Sequence, residues 1–352
     1  MINVTAFELD RSEVSATISF LRFPLTVMIV MYHCYCVQVP INQPLYASLV
    51  YPFGLMLGET GVPAFFFISG FLYYLSQRST VEKLRTRLST LLIPYIIWNS
   101  VIIIAYITIM LIGCPLEIAD KNIFDYNFTD YVRAYIDRGY WDNGNGQPML
   151  CPYWYIRNLM VLCLLAPLIQ YLLKGSKGIF VLVCSFAWWM SIPYNGMLPQ
   201  SILFFCLGAF FSVNKISILS MWSVNARGYL VGIWLTLVLW DWIGHFLIPT
   251  GYGLYIHRMV LLLNIFVIMH IGHSASRKFR FHRLLTKSCF WIYTTHYPLT
   301  LVVREMRPSL YDGEQLIFYW VTVLVILTLC TSAYCVGQMI FPRTMALLTG
   351  NR

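Results

Sequence analysis

Ten apolar segments organise this chain: roughly 17–39, 61–77, 88–112, 152–173, 178–193, 198–213, 229–248, 255–272, 289–304 and 315–340. A helical pass through a bilayer takes about 20 such residues. The spacing therefore predicts an all-α polytopic membrane bundle of about ten transmembrane helices. Residues 45–57 are apolar too, but short and interrupted by Pro52 and Gly54, and are expected to lie at the interface or to re-enter. Composition agrees: 59% of residues are hydrophobic and 11% charged, where a soluble domain carries about a quarter charged. Mean hydropathy is +0.66. No stretch reads as an appended soluble domain, so residues 1–352 read as a single membrane domain.

The net charge of +9 does not point to a nucleic-acid partner, because the basic side chains fall in short loops between apolar segments. With the N-terminus inside, one set of loops holds Arg78, Lys83, Arg85, Arg87, Lys174, Lys177, Lys215 and Arg227, then Arg277, Lys278, Arg280, Arg283 and Lys287, with Arg343 in the tail. The opposite set holds Lys121, Arg133, Arg138, Arg304 and Arg307. This alternation obeys the positive-inside rule and predicts that both termini are cytoplasmic. Residues 1–16 carry Glu8, Asp10, Arg11 and Glu13 instead of a basic leader, and no small-x-small site follows. The first apolar segment is therefore expected to be retained. The ten cysteines show no C-x-x-C pair and no zinc spacing, as expected of small buried hydrophobes. Cys114 and Cys151 flank the same outer loop, where a disulfide requires an oxidising compartment.

That outer loop, about residues 113–151, is unlike the others. It is acidic and aromatic ("DKNIFDYNFTDYVRAYIDRGYWDNGNGQP"). Carboxylates beside aromatic rings suit a sugar-binding surface, and an amphipathic helix capping the bundle has the same composition. Asn127-Phe128-Thr129 is a glycosylation sequon, meaningful only in a eukaryotic lumen.

Charged side chains at membrane depth cost at least ~2.5 kcal/mol, so each one is a functional hypothesis. Arg22 and His33 stand in one apolar run. Their 11-residue step turns a helix about 20° beyond three full turns and climbs about 16 Å, so the two share a face. Taken alone, Arg22 also fits snorkelling to the headgroups, and His33 fits a hydrogen-bonded bundle histidine. Glu59 precedes the second segment and Ser69-Gly70 lies within it. Trp154, Tyr155 and Arg157 open the fourth, Asp241 and His245 share a face of the seventh, Arg258 begins the eighth, and His296 lies in the ninth.

Four stretches carry a resemblance. They are Arg22 and His33 with ten residues between; "GVPAFFFISGF" (61–71) followed by basic residues and "RLSTLLIPYIIW" (87–98); "PYWYIRNLMVL" (152–162); and "SCFWIYTTHYP" (288–298). In this order, across nearly the whole chain, they resemble the acyltransferase-3 family, integral membrane O-acyltransferases with ten core spans that modify extracytoplasmic carbohydrates. The resemblance implies that Arg22 and His33 are the catalytic pair. It matches Ser69, Arg157 and His296 to further motif positions, and Trp154 and Tyr155 with them. It also implies a short acyl-CoA, acetyl-CoA first, as donor substrate with no bound cofactor and no metal. A carbohydrate acceptor and a bacterial cytoplasmic membrane complete the expectation. One position departs: the residue after the Trp-Tyr-x-Arg arginine is often acidic, and here it is Asn158. Glu59 and Asp241 are the carboxylates left to substitute, and both are candidate substrate-binding residues.

The physical chemistry runs parallel. Acyl transfer from a thioester to an alcohol needs a base near neutrality, a role histidine fills, and donors for the oxyanion. Arginine binds phosphate well, so Arg22 is expected to anchor the donor's phosphate end while His33 acts as general base. Two other readings are open. One is a carbohydrate or lipid-linked-sugar transporter without acyl chemistry, although no internal repeat is evident. The other is a haem held between His33 and His296.

Overall fold

The computed structural model describes residues 4–38, 44–113, 117–118, 121–137, 147–176, 178–191, 197–219, 224–247, 252–306 and 312–350. Among them the chain is helical apart from one minimal hairpin. The first helices are α1 (Val4–Gln38), α2 (Pro44–Tyr51), α3 (Gly61–Leu75), α4 (Thr80–Arg87) and α5 (Ile93–Leu111). The hairpin β1 (Glu117–Ile118) and β2 (Lys121–Asn122) precedes α6 (Phe128–Ala134). Then come α7 (Trp154–Leu164), α8 (Ala166–Gly175), α9 (Ile179–Met190), α10 (Met197–Val213) and α11 (Val224–Leu247). The last are α12 (Tyr252–Ser276), α13 (Arg283–Glu305), α14 (Asp312–Ile340) and α15 (Pro342–Leu348).

Every one of the ten apolar segments falls on a helix or, for 152–173, on a pair. Five stretches are long and apolar enough to cross a membrane: Ser12–Tyr35, Ser48–Leu75, Thr80–Leu111, Gly253–Ser276 and Gly313–Ile340. The pair α7–α8 makes a sixth if counted as one broken pass, and α9 and residues 198–213 are shorter apolar helices. Outward faces carry Ile104, Leu182, Phe186, Ile233, Trp240 and Leu324 exposed. A soluble surface avoids patches of that extent, whereas acyl chains solvate such faces at no cost. The chain is an integral membrane protein.

Two segments differ from the sequence expectation. Residues 45–57 do not form a separate interfacial piece. A π-helical turn, Pro52–Leu57, joins α2 onward to α3 in one 28-residue stretch. Pro52 has no N–H to offer Ser48 O, which accepts from Trp242 Nε1–H instead (2.9 Å), and Gly54 lets the turn press on the ring of Tyr35: a Cβ there would sit 2.6 Å from the Tyr35 Cβ. The segment 152–173 is not straight either. It bends by 65° between α7 and α8, where Pro167 in the first turn of α8 has no N–H to offer the last carbonyls of α7.

The core is organised around α1. Leu21, Leu25 and Ile29 belong to a large cluster with α3, α7, α10, α12 and α13. Val30, Met31, Cys34 and Tyr35 belong to a second with α2, the π turn, α13 and α14. From Ile29 to Tyr35 α1 is almost wholly enclosed, so the polar side chain of His33 meets protein, not acyl chains, while the exposed stripe of α1 lies earlier, at Ser15, Ser19 and Arg22. The described part of the 113–151 loop docks as a cap: α6 starts on an Asn127–Asp130 capping box, and Met149 N–H donates to Ala134 O (2.7 Å). Leu150 N–H donates to Asn99 Oδ1 on α5 (2.9 Å). Asn127 of the sequon is thus the helix N-cap. Cys114, Arg138 and Arg307 lie outside the described residues, so the Cys114–Cys151 pairing does too; Cys151 Sγ donates to Gln147 Oε1 (3.0 Å).

Candidate active site

His33 and His296 meet. α1 and α13 pack side by side, and His296 Nε2 lies 3.2 Å from His33 Nδ1, with both rings buried at 9% and 0% exposure. Each Nδ1 also faces the carbonyl one turn back on its own helix, Ile29 O for His33 and Ile292 O for His296, both at 2.9 Å. A carbonyl only accepts, so His296 carries its proton on Nδ1 and presents a bare Nε2. That lone pair accepts from His33 Nδ1–H, which is shared with Ile29 O. The network thereby assigns the His33 tautomer and leaves its Nε2 lone pair free. The rings bond to each other directly, so no gap for a porphyrin separates them, and the haem reading loses its two ligands.

A wall of hydroxyls and rings extends from this pair. Tyr293 packs 6.2 Å from the His296 ring, stacks 5.9 Å from Tyr153 and meets Tyr155 edge-on at 6.0 Å. Tyr293 OH donates to Pro152 O, and Thr294 holds the Tyr153 hydroxyl at 3.0 Å. The Tyr155 hydroxyl pairs with Ser69 Oγ at 3.2 Å. Motif positions far apart in sequence (Ser69, Tyr155, His296, His33) thus form one continuous wall. Trp154 packs on Phe66 beside it.

Arg157 serves the cap. Its guanidinium donates to Ile136 O in the outer loop and, at 3.2 and 3.0 Å, to Asn158 Oδ1. Asn158 Nδ2 in turn donates to Ser201 Oγ (2.9 Å). The amide accepts on one side and donates on the other, which accounts for an amide at this position. Arg22 stands apart. It is exposed midway along α1, eleven residues before His33, and has no hydrogen bond or ion pair among the described residues. Phe281, in the basic stretch between α12 and α13, stacks on Phe20 (4.8 Å) and leans on Phe23 (5.3 Å), bringing that stretch over the Arg22 turn.

A second polar cluster centres on His257, which sequence reasoning passed over. Its Nδ1 lies 2.8 Å from Asp241 Oδ2 and its Nε2 lies 3.0 Å from Glu59 Oε2. Tyr51 OH donates to Asp241 Oδ1 (3.2 Å) and its ring stacks 3.9 Å from His245. Arg258, the next residue, binds elsewhere, donating to Trp188 O, Trp189 O and Ser191 Oγ at the end of α9. The only sequence signal for His257 is a histidine beside an arginine at a helix start, a pattern that interface residues share.

Comparison with known proteins agrees with the geometry. A succinoglycan biosynthesis protein, ExoH, of Rhizobium meliloti is 25% identical over 362 residues, covering 97% of this chain and 93% of its own length. No solved structure matches. A family model described as an acyltransferase domain, acyltransferase-3, matches residues 16–337. That match takes in both paired histidines and the whole Ser69–Tyr155 wall, and the chain belongs to the acyltransferase-3 family.

Proposed function

We propose that the protein is a membrane O-acyltransferase that moves a short acyl group, acetyl first and succinyl as the alternative, from cytosolic acyl-CoA to a hydroxyl of an extracytoplasmic polysaccharide. The observation that carries this is the buried His33–His296 pair, which leaves one imidazole nitrogen free as a base. Family membership supports acyl transfer, and the name of the succinoglycan relative supports a polysaccharide acceptor. In this reading the chain crosses a bacterial cytoplasmic membrane ten times with both termini inside. The alternation of loop charges supports that count.

In the reaction the acceptor hydroxyl loses its proton to His33 Nε2 as its oxygen bonds to the thioester carbonyl. The Ser69 and Tyr155 hydroxyls, held together on the same wall, supply donors for the oxyanion. Collapse breaks the C–S bond, and the proton on His33 passes to the leaving CoA sulfur. His296 touches neither substrate. It holds the tautomer and orientation of His33, as a carboxylate does in a Ser-His-Asp triad. Arg22, exposed about three turns before His33 on α1, binds donor phosphate.

Free-thiol release from acetyl-CoA, with the protein in detergent and polysaccharide acceptors present, tests the reading. Acceptor-dependent release is expected, falling about 10²–10⁴-fold in His33→Ala, the usual contribution of a positioned base. Arg22→Ala is expected to raise the KM for acetyl-CoA. A wild-type protein that releases no thiol from acetyl- or succinyl-CoA, in cells whose surface polysaccharide still depends on the gene, would shift the reading to transport.

A further inference from the structure

The Glu59–His257–Asp241 cluster is not used by the chemistry above. Its three members come from the turn before α3, from α12 and from α11. Both ring nitrogens of His257 face carboxylate oxygens, at 2.8 and 3.0 Å. A carboxylate only accepts, so both nitrogens donate, and the three groups together hold one proton more than a neutral imidazole and two carboxylates would. The arrangement is closed at one end and open at the other. Side-chain exposure is 2% at Asp241 and 8% at His257, but 30% at Glu59. Asp241 spends its second oxygen on Tyr51 OH. Glu59 Oε1 has no hydrogen-bond partner among the described residues.

The backbone under Glu59 is held as firmly as its side chain. Thr60 Oγ1 donates to Met56 O (2.9 Å). Asn264 Nδ2 donates to Thr60 Oγ1 (2.7 Å) and Met56 O (3.2 Å), and Trp234 Nε1–H donates to Asn264 Oδ1 (2.6 Å). Polar side chains from α11 and α12 therefore fix this turn from two directions. Polar groups that only glue helices together close on each other; here the backbone on either side of Glu59 is tied down, its Oε2 is held by His257, and its other oxygen stays open. The turn also abuts the catalytic helix. Gly58 lies against Tyr32, where a Cβ would come within 2.9 Å of the Tyr32 Cβ, and the Tyr32 ring packs edge-on to His33 at 5.4 Å.

We propose that Glu59 is the hydroxyl-binding residue of the acceptor subsite, accepting a hydrogen bond from a sugar hydroxyl through Oε1. His257 and Asp241 are positioning residues that hold its carboxylate in place. The inference rests on the acyltransferase reading and adds to it where a polyol is gripped, at the turn that packs on α1 beside Tyr32. A carboxylate with one fixed and one free oxygen suits a neutral polyhydroxylated ligand, since it accepts O–H donors and repels anionic groups.

The test uses the full chain in detergent and two readouts. Binding of oligomers from acid-hydrolysed exopolysaccharide of the producing strain is measured directly by calorimetry, independent of turnover. Acetyl-CoA turnover on the same oligomers gives separate KM values for donor and acceptor. Glu59→Gln is expected to weaken oligomer binding and raise the acceptor KM at least tenfold, with the donor KM and melting temperature unmoved. His257→Gln is expected to do so less, and the double variant Glu59→Gln/His257→Gln to match Glu59→Gln alone, because His257 acts through Glu59. Oligomer binding that is absent in the wild type, or unchanged in Glu59→Gln, overturns the inference whatever the turnover. So does a loss of donor and acceptor KM together with melting temperature, the signature of a helix clamp. Normal oligomer binding without any thiol release would instead sink the acyltransferase reading and leave the subsite standing.

Discussion

At the scale of single residues, His33 is defined by what it touches. Its Nδ1 is committed to Ile29 O and to the bare Nε2 of His296, so only Nε2 is left to take a proton. A residue that fixes a tautomer is replaceable by another acceptor of similar reach. His296→Gln, whose amide oxygen can take the same hydrogen bond, is expected to keep most of the wild-type kcat, while His296→Leu loses about as much as removing a hydrogen-bonded orienting group does, on the order of 10²-fold or more. Thiol-release kinetics with KM held in view check it: equal losses in Gln and Leu would mean that His296 does something other than accept. Arg22, His33 and His296 were legible from sequence because a polar side chain inside an apolar run is rare. His257 was not, because it opens its helix, where interface histidines are common, and its partners lie 198 and 16 positions away.

At the scale of elements, the tightest contact is the crossing of α3 and α10. Gly70 and Gly208 oppose each other's helix: a Cβ at Gly70 would fall 2.1 Å from Phe205 O, and one at Gly208 1.9 Å from Phe67 O. Small residues that let backbones touch are the way helices associate where lipid removes the hydrophobic drive between them. Both contacts are with backbone, which cannot rotate away, so Gly70→Ala and Gly208→Ala are each expected to cost about 1–3 kcal/mol, the usual range for overpacking. Thermal unfolding in detergent should show a lowered melting temperature for both, and an unchanged one for Gly228→Ala, which meets nothing within 4 Å. The same crossing places Ser69, next to Gly70, against Tyr155. Hydropathy located these helices well. It did not reveal that Pro167 breaks the fourth segment or that a π turn splices residues 45–57 onto the second, because both depend on how a turn packs on its neighbour.

At the scale of the whole molecule, α1 is the axis and the C-terminus is a clasp. α15 folds back under α5: Trp98 Nε1–H donates to Leu348 O (3.1 Å), and Gly350, at φ +67°, lies against Thr90 O. The C-terminal segment and the basic α4 therefore sit at one end of the bundle, the end where α4 passes through its π turn into α5. With ten passes, both belong to the cytoplasmic side. A single cysteine introduced at Arg85 and a reporter fused after Arg352 are expected to report that same compartment, and a cysteine at Asp125 in the cap the other one, in intact cells treated with an impermeant thiol reagent. Labelling of Arg85→Cys and Asp125→Cys from the same side would break the ten-pass count.

By itself the sequence determined the class of molecule and the positions of its helices, because helical periodicity and the cost of charge in lipid act locally and leave their mark in consecutive residues. Tertiary packing alone decided that His33 bonds to His296, that Ser69 and Tyr155 extend the same wall, and that His257 ties Glu59 to Asp241. Those pairings join residues 263, 86 and 198 positions apart. Hydrogen bonds of this kind depend on ångström distances set by close-packed side chains, and no local pattern in the chain encodes them.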